Sequence, residues 1–160
     1  MATPDAPARR ATADDAWELV RLRGIMLEAT DGIPSEPGPW QEHTVKIVRR
    51  RLSEPEPTMA AFVIDRPGEP GMLAACAVGT IEERLGGPRN PSGLAGYVFN
   101  VCTEEPFRRR GFSRACLISL LSWYRESGVE RIDLRPSEDG TALYRSLGFI
   151  DTPSMRLRLV

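Results

Sequence analysis

Apolar positions recur along the chain at two periods, and the places where the period changes divide it into elements. "RRAT" (residues 9–12) predicts a short strand. From about Ala13 to Ala29, Trp17, Val20, Gly24 and Leu27 return at helical spacing, which predicts a helix with Trp17 as a core anchor. Thr12 and Asp15 stand three apart ahead of it, a capping-box pattern in which the Thr12 hydroxyl accepts from a free helix N–H. "DGIPSEPGPW" breaks the pattern with prolines. A second helix is predicted from Trp40 through Val45, Val48 and Leu52, closed by Pro55 and Pro57.

Beyond Pro57 the period falls to that of strands. "TMAAFVIDRPGEPGMLAACAVGTI" is two apolar runs around a Pro/Gly turn, the mark of a hairpin, and "RLGGPRNPSG" is a loop. "LAGYVFNVCT" is the most strand-like run in the chain. "GFSRACLISLLSWYRESG" predicts a long helix that Gly128 ends. A strand at "RIDLR", a short helix at "GTALYRSL" stopped by Gly148, and closing strands around "FID" and "SMRLRLV" complete the order. No repeat or dividing linker interrupts it. Residues 1–160 are therefore expected to form one mixed α/β domain, with residues 1–7 loose.

Charge and cysteine usage narrow the function. The net charge is −1, so no global basic field points to nucleic acid or a membrane surface. Of the 21 basic residues only Lys46 is a lysine. In so arginine-rich a chain, runs of arginine carry little information by themselves. Arg49–Arg51, on the second helix with no glycine nearby, reads as a solvated face. Cys76, Cys102 and Cys116 are too widely spaced to form a metal set with the lone His43, so no metal is expected. Reduced thiols, the lack of a secretion signal and the lack of a run of ~20 apolar residues point to the cytoplasm.

One stretch departs from this blandness. In "EEPFRRRGFSRAC" (104–116) the most strand-like run delivers the chain to Arg108-x-x-Gly111-x-Ser113, and a helix opens there. The first turn of a helix has N–H groups without internal partners, and the helix dipole adds partial positive charge. A glycine at that point lets a phosphate approach the backbone. Neither G-x-x-x-x-G-K-[ST] nor G-x-G-x-x-G is present.

"VCTEEPFRRRGFSRACL" resembles the acyl-CoA-binding segment of the GCN5-related N-acetyltransferase (GNAT) superfamily, R/Q-x-x-G-x-G/A after the fourth strand. "SEDGTALYRSLGF" resembles the later motif of that superfamily, a short helix carrying a tyrosine before a "GF". The resemblance implies the GNAT fold, a mostly antiparallel twisted sheet of about six or seven strands with about four helices, splayed between strands 4 and 5. It implies backbone contacts from Val101, Cys102 and Thr103 to the pantetheine arm, on a strand where the family has a bulge. It also implies a pyrophosphate cradle from Arg109, Arg110, Gly111, Phe112, Ser113 and Arg114. Ser113 stands where Gly or Ala is usual, and can itself bond a phosphate oxygen. Pro106 lies one place later than the common proline, and Ser137 replaces a frequent asparagine.

The implied reaction moves an acetyl group from acetyl-CoA to a primary amine by direct attack in a ternary complex. The acceptor is a small molecule or a peptide, and no nucleic acid or membrane partner is implied; a homodimer is compatible. Tyr144 matches the tyrosine near the CoA sulfur, whose phenol can protonate the leaving thiolate. Backbone N–H groups on the splayed strand can polarise the thioester carbonyl. For a general base, Glu104, Glu82, Glu83 or a water held by Asn100 remain open. Cys102 has no histidine partner and reads as a small buried residue whose backbone matters. Glu28, Asp31, Glu36, Glu82 and Glu83 favour a cationic acceptor, and Trp40 is a candidate wall of its pocket. The alternative class is a non-catalytic acyl-CoA sensor, which would keep the cradle without a working Tyr144 or acceptor pocket.

Overall fold

In the computed structural model, which describes residues 7–34 and 36–159, the strand-period runs pair in the order in which they occur. β1 (Arg9–Arg10), β2 (Met59–Arg66), β3 (Glu69–Glu83), β4 (Leu94–Thr103) and β5 (Arg131–Leu134) form one sheet ordered β1-β2-β3-β4-β5. The first four are antiparallel, and β5 joins β4 in parallel after a crossover through a helix. β4 coincides residue for residue with the run "LAGYVFNVCT".

Both faces of the sheet are covered, which is why β2 and β3 read as continuous apolar runs rather than alternating ones. α1 (Ala16–Asp31) and α2 (Pro39–Leu52) cover one face, where Leu19, Val20, Leu22 and Val45 pack on Ala61, Val63 and Cys76. α3 (Phe112–Glu126) covers the other, with Leu117, Leu120 and Tyr124 against Ala60, Ile64 and Ala77. The short α4 (Thr141–Ser146) follows β5.

Three expectations are corrected. Trp17 is not a core anchor: Ala16, Leu19, Val20 and Leu22 face the sheet, which turns Trp17 to solvent at 52% exposure. Only half of the capping box forms. The Thr12 N–H donates to Asp15 Oδ2 at 2.8 Å, while the Thr12 hydroxyl caps nothing, and a 3₁₀ turn (Ala13–Asp15) precedes α1. The closing strands do not form either. Residues 151–159 are exposed throughout and pair with no strand, so the sheet has five strands rather than six or seven. Pro153 removes a ladder donor from that segment, and its remaining amides are left to water. The loose start expected for residues 1–7 lies, except for Pro7, outside the described residues.

α3 is seated by a ring with no room around it. The buried Tyr124 hydroxyl lies 3.1 Å from the Thr80 carbonyl and 3.0 Å from that of Tyr97, so its one proton is shared by β3 and β4. The ring rests on Gly79 and Gly96. A Cβ at Gly96 would lie 2.7 Å from the ring, and one at Gly79 closer still to the hydroxyl. Apolar desolvation pushes the Tyr124 phenol up, so it stays a donor at any ordinary pH.

Two guanidinium networks tie the α1 layer to the sheet. Arg9 bridges Asp15 and Asp65 at 2.8 and 2.9 Å. Arg21 joins Glu18 and Glu104 at 2.7 and 2.9 Å, and Arg66 meets Glu104 from the other side at 2.7 Å. Bonds from Arg66 and Arg21 hold the Glu104 carboxyl below its usual range, and Arg9 does the same for Asp65. For Asp15 and Glu18 burial works in the opposite direction, but the guanidinium and backbone bonds outweigh it.

Gly96→Ala is expected to destabilise the fold by about 1–3 kcal/mol, because a methyl must displace a fully packed ring; urea unfolding measures it. All four carboxyls have folded pKa values below their unfolded ones. Their stabilisation is therefore complete above the unfolded values near pH ~4 and is lost as pH falls through the folded ones. Melting temperature should drop steeply below pH ~4, and Glu104→Gln should flatten that drop.

Candidate active site

β4 has partners along all of one edge and along less than half of the other. Against β3 it pairs from Leu94 to Thr103, with one irregularity: Val78 faces Asn100 while Gly79 faces Val98. Phe99 is the extra residue, a bulge. Against β5 the pairing covers only Ala95–Val98. From Phe99 to Thr103 the outer edge of β4 is therefore unpaired by strand, and its polar groups face a cleft.

The chain then turns through a 3₁₀ segment (Glu105–Phe107) into the start of α3. Arg109 has φ 65° and Gly111 has φ 77°, so two left-handed residues bring the chain round to present the first turn of α3. Arg109 is the single non-glycine residue with positive φ among the described residues. The N–H groups of that first turn have no helical acceptor. The Arg108 Nε donates to the Thr103 carbonyl at 3.1 Å, and Arg114 Nη1 to Ser146 Oγ at 2.8 Å. Those bonds fix the loop to the end of β4 and α3 to α4. The Ser113 hydroxyl is hydrogen-bonded to that of Thr103.

These parts line an open cleft of about 1210 Å³. Its floor is β4 from Tyr97 to Thr103, excepting Asn100, and one wall is Arg23, Met26, Leu27 and Thr30 of α1. The other wall is the 135–140 loop with Leu143 and Tyr144. At its inner end a narrow recess lies between Val98, Phe99 and Val101 of β4 and Leu134 of β5 with Arg135 and Ser137 just after it, and Tyr144 closes it. Tyr144 is buried, with its ring edge-on to Phe149 at 5.8 Å. Its hydroxyl meets no hydrogen-bonding partner among the described residues. Burial pushes this phenol up to about 12, so it carries its proton at neutral pH.

Of the residues singled out from sequence, Val101, Cys102, Thr103, Arg109, Gly111, Phe112, Ser113, Arg114 and Tyr144 all line the cleft. Arg110 does not; its guanidinium lies over the Phe107 ring, 5.6 Å from the centroid. Ser113 spends its hydroxyl on Thr103, which makes it a tie between β4 and α3. Cys102 is buried against the α1/α2 layer, and burial raises its thiol to about 11.

The general-base candidates fare unevenly. Glu104 is enclosed by Arg66 and Arg21 and does not reach the cleft. Asn100 is buried, with its amide on Cys76 Sγ at 3.6 Å and its Oδ1 unbonded among the described residues. Glu82 lines the cleft but is paired with Arg84 at 2.8 Å, and Glu83 lies outside it. Of the acidic residues expected near the acceptor, only Asp31 and Glu82 line the cleft. Trp40 packs into the α1/α2 core instead.

The sequence reading puts the acceptor site beside the first two helices but does not single out the α1 residues that form this wall. Arg23, Met26, Leu27 and Thr30 are spaced i, i+3, i+4, i+7, a second helical stripe beside the core one. That spacing was the available signal. Ser137, where an asparagine is frequent, lines the cleft and accepts the Gly140 N–H on its hydroxyl at 3.1 Å.

Residues 26–149 match the acetyltransferase (GNAT) family, and the chain belongs to it. Among solved structures, a "predicted acetyltransferase" of Clostridium acetobutylicum with acetyl-CoA has a TM-score of 0.80 at 25% identity, over 96% of this chain and 94% of that one. A GCN5-related N-acetyltransferase of Ralstonia eutropha JMP134 has a TM-score of 0.78 at 21% identity, over 95% and 97%. The aminoglycoside N-acetyltransferase AAC(6')-Iy in complex with CoA has a TM-score of 0.70 at 15% identity, over 99% and 96%. No curated protein matches the chain significantly in sequence. Among the described residues no helix is long and apolar enough to cross a membrane.

The two left-handed residues of the loop predict opposite responses to substitution. Gly111→Ala should cost about 1–2 kcal/mol, since a Cβ disfavours positive φ. Arg109→Gly should stabilise the ligand-free protein by about 0.5–1 kcal/mol, the relief exceeding the added freedom of the unfolded chain. Urea unfolding of both variants, without ligand, checks the signs.

Proposed function

We propose that the chain is an acetyl-CoA-dependent N-acetyltransferase, a single catalytic domain that moves an acetyl group to a primary amine in a ternary complex. The observation that carries the reading is the unpaired edge of β4 at Phe99–Thr103, which faces Tyr144 across the cleft and leads to the free first turn of α3. An extended acyl-pantetheine arm can add to that edge as a strand would, with Val101, Cys102 and Thr103 as backbone partners. The pyrophosphate then falls at Gly111–Arg114, where the N–H groups and the dipole of α3 meet it, with Arg109 above.

The thioester carbonyl takes its polarisation from β4 amides beside the bulge. Tyr144 supplies the proton to the leaving thiolate. Its raised pKa keeps it protonated until that moment, and its hydroxyl has no competing partner. Among the described residues the cleft carboxylate nearest β4 is Glu82, which is taken by Arg84, and the amine's proton leaves through solvent. Because Arg23, Arg84 and Arg156 line the cleft together with Asp31 and Glu82, its walls do not favour an acceptor of one sign. The three free thiols fit a cytoplasmic protein.

Titration calorimetry with acetyl-CoA, followed by an amine panel with thiol release as readout, tests the reading. Saturable binding with turnover supports it, and binding without turnover on any amine would favour the sensor. Tyr144→Phe should lower kcat by about 10²-fold or more while acetyl-CoA affinity holds. The pH profile of the wild type should rise as the acceptor amine loses its proton. No falling limb should follow below pH ~11, because the acid titrates only near about 12.

A further inference from the structure

On the acetyltransferase reading, on which this inference rests, the attacking nitrogen must reach Tyr144 at the inner end of the cleft. The recess there has a volume of about 30 Å³, room for a few atoms, so the bulk of an acceptor stays outside it. One residue that borders it carries charge: Arg135, the first residue after β5. Every other, from Met26 and Thr30 of α1 to Ser137 and Tyr144, is uncharged. The acidic residues of the cleft, Asp31, Glu82, Glu138 and Asp139, lie outside the recess. Neighbouring guanidinium groups are taken: Arg84 by Glu82 at 2.8 Å, Arg131 by Asp133 at 3.2 Å and Arg145 by Asp151 at 3.0 Å. Arg135 is exposed and has no hydrogen bond or ion pair among the described residues.

A cation at an otherwise uncharged recess disfavours an acceptor that is only a cation, because like charges then meet with nothing of opposite sign between them. It suits an acceptor that brings an anion within a bond or two of its amine. That anion is not a phosphate of the cofactor, since none of residues 108–114 borders the recess. A carboxylate matches the planar fork of arginine and is small enough to sit beside the amine. The surface that leads out of the recess is aromatic. Phe99, the bulged residue, borders both the recess and the open cleft and is 47% exposed. The Tyr97 ring lies 4.7 Å from it, and Met26 and Leu27 stand on the α1 wall beside them. A large apolar group laid on these rings covers apolar area that water now touches.

We propose that the acceptor is a free α-amino acid with a large apolar or aromatic side chain, its carboxylate on Arg135, its side chain on Tyr97 and Phe99, and its amine in the recess. Such an acceptor is a zwitterion, in keeping with cleft walls that favour neither sign. In the transfer its neutral nitrogen forms a bond to the thioester carbonyl carbon as the C–S bond breaks. Tyr144 gives its proton to the leaving thiolate, the nitrogen gives one to solvent, and solvent restores that of Tyr144. The products are an N-acetyl amino acid and the CoA thiol.

Rates of thiol release with phenylalanine, tryptophan and leucine, each beside its amide and its decarboxylated amine, test this in the wild type, Arg135→Gln and Arg135→Lys. In the wild type kcat/KM for the best amino acid should exceed that for its amide and its decarboxylated amine by about 100-fold, the loss expected when a charged hydrogen-bonded pair is broken. Arg135→Gln should bring those ratios close to one, chiefly through KM. Arg135→Lys should fall between, because an ammonium keeps the charge without the fork. The calorimetric Kd for acetyl-CoA should be the same in all three proteins. Amides or decarboxylated amines turned over as well as the amino acids would overturn the proposal and leave the acetyltransferase reading standing. So would ratios that Arg135→Gln does not change, or a loss of acetyl-CoA affinity in that variant. Bound acetyl-CoA with no turnover on any amine would overturn the acetyltransferase reading itself.

Discussion

A strand that is bonded on both edges can bind nothing along its length, and a strand bare on one edge normally seeks another strand. β4 resolves this within ten residues. Its first half is bonded to both neighbours and stays in the interior of the sheet; its second half keeps β3 and loses β5. The bulge at Phe99 falls at the changeover, where the extra residue can absorb a change in strand direction. The cleft, the position of Tyr144 across it and the approach to α3 all follow from that division. Were β5 longer by two or three paired residues, the recess would be filled with ladder hydrogen bonds.

Such a gap must be held open against collapse. α3 is fixed to both β3 and β4 by the hydroxyl of Tyr124, which reaches the two strands through glycines that leave it no slack. The end of β4 is held on its far side by Glu104, gripped by guanidinium groups from α1 and β2. Thr103 adds the contact with Ser113, so the last residues of β4 are fastened to the sheet, to α1 and to α3 while one edge remains unpaired. Arginine suits this work because its planar fork holds two carboxylates at once, as Arg9 and Arg21 each do here.

Much of this was legible in the residues. β4, α3 and the turn between them were readable because their signals are local: β-branched and aromatic residues in a run, then a glycine where a helix opens. Nine of the ten residues that the two motifs single out line the cleft, Arg110 being the exception. What failed was information held in partners. Trp17 and Leu27 obey helical spacing, but a neighbouring stripe of smaller residues packs on the sheet, and spacing alone does not rank two stripes. Glu104, adjacent to the strand end, is near the site in sequence and faces away in space because Arg21 and Arg66 claim it. Arg110 sits inside the motif, and its side chain lies on Phe107. The terminal alternation has the period of a strand, but a pattern cannot state whether an edge is there to pair with it, and residues 151–159 pair with no strand.

The buried thiols bear on what else the cleft could acylate. Cys76, Cys102 and Cys116 are all buried, and burial raises each of them, Cys102 to about 11 and Cys116 to about 12. A thiol reacts with a thioester as the thiolate, a form these three do not reach at neutral pH, even though Cys102 borders the cleft. The other usual recipient of a stray acyl group is a lysine amine, and the chain has one, Lys46, on α2 and outside the cleft lining. Cationic surface has been supplied by guanidinium groups, which are poor nucleophiles because they keep their proton. A protein that holds an activated acyl group is thereby short of places on its own surface where that group could be lost.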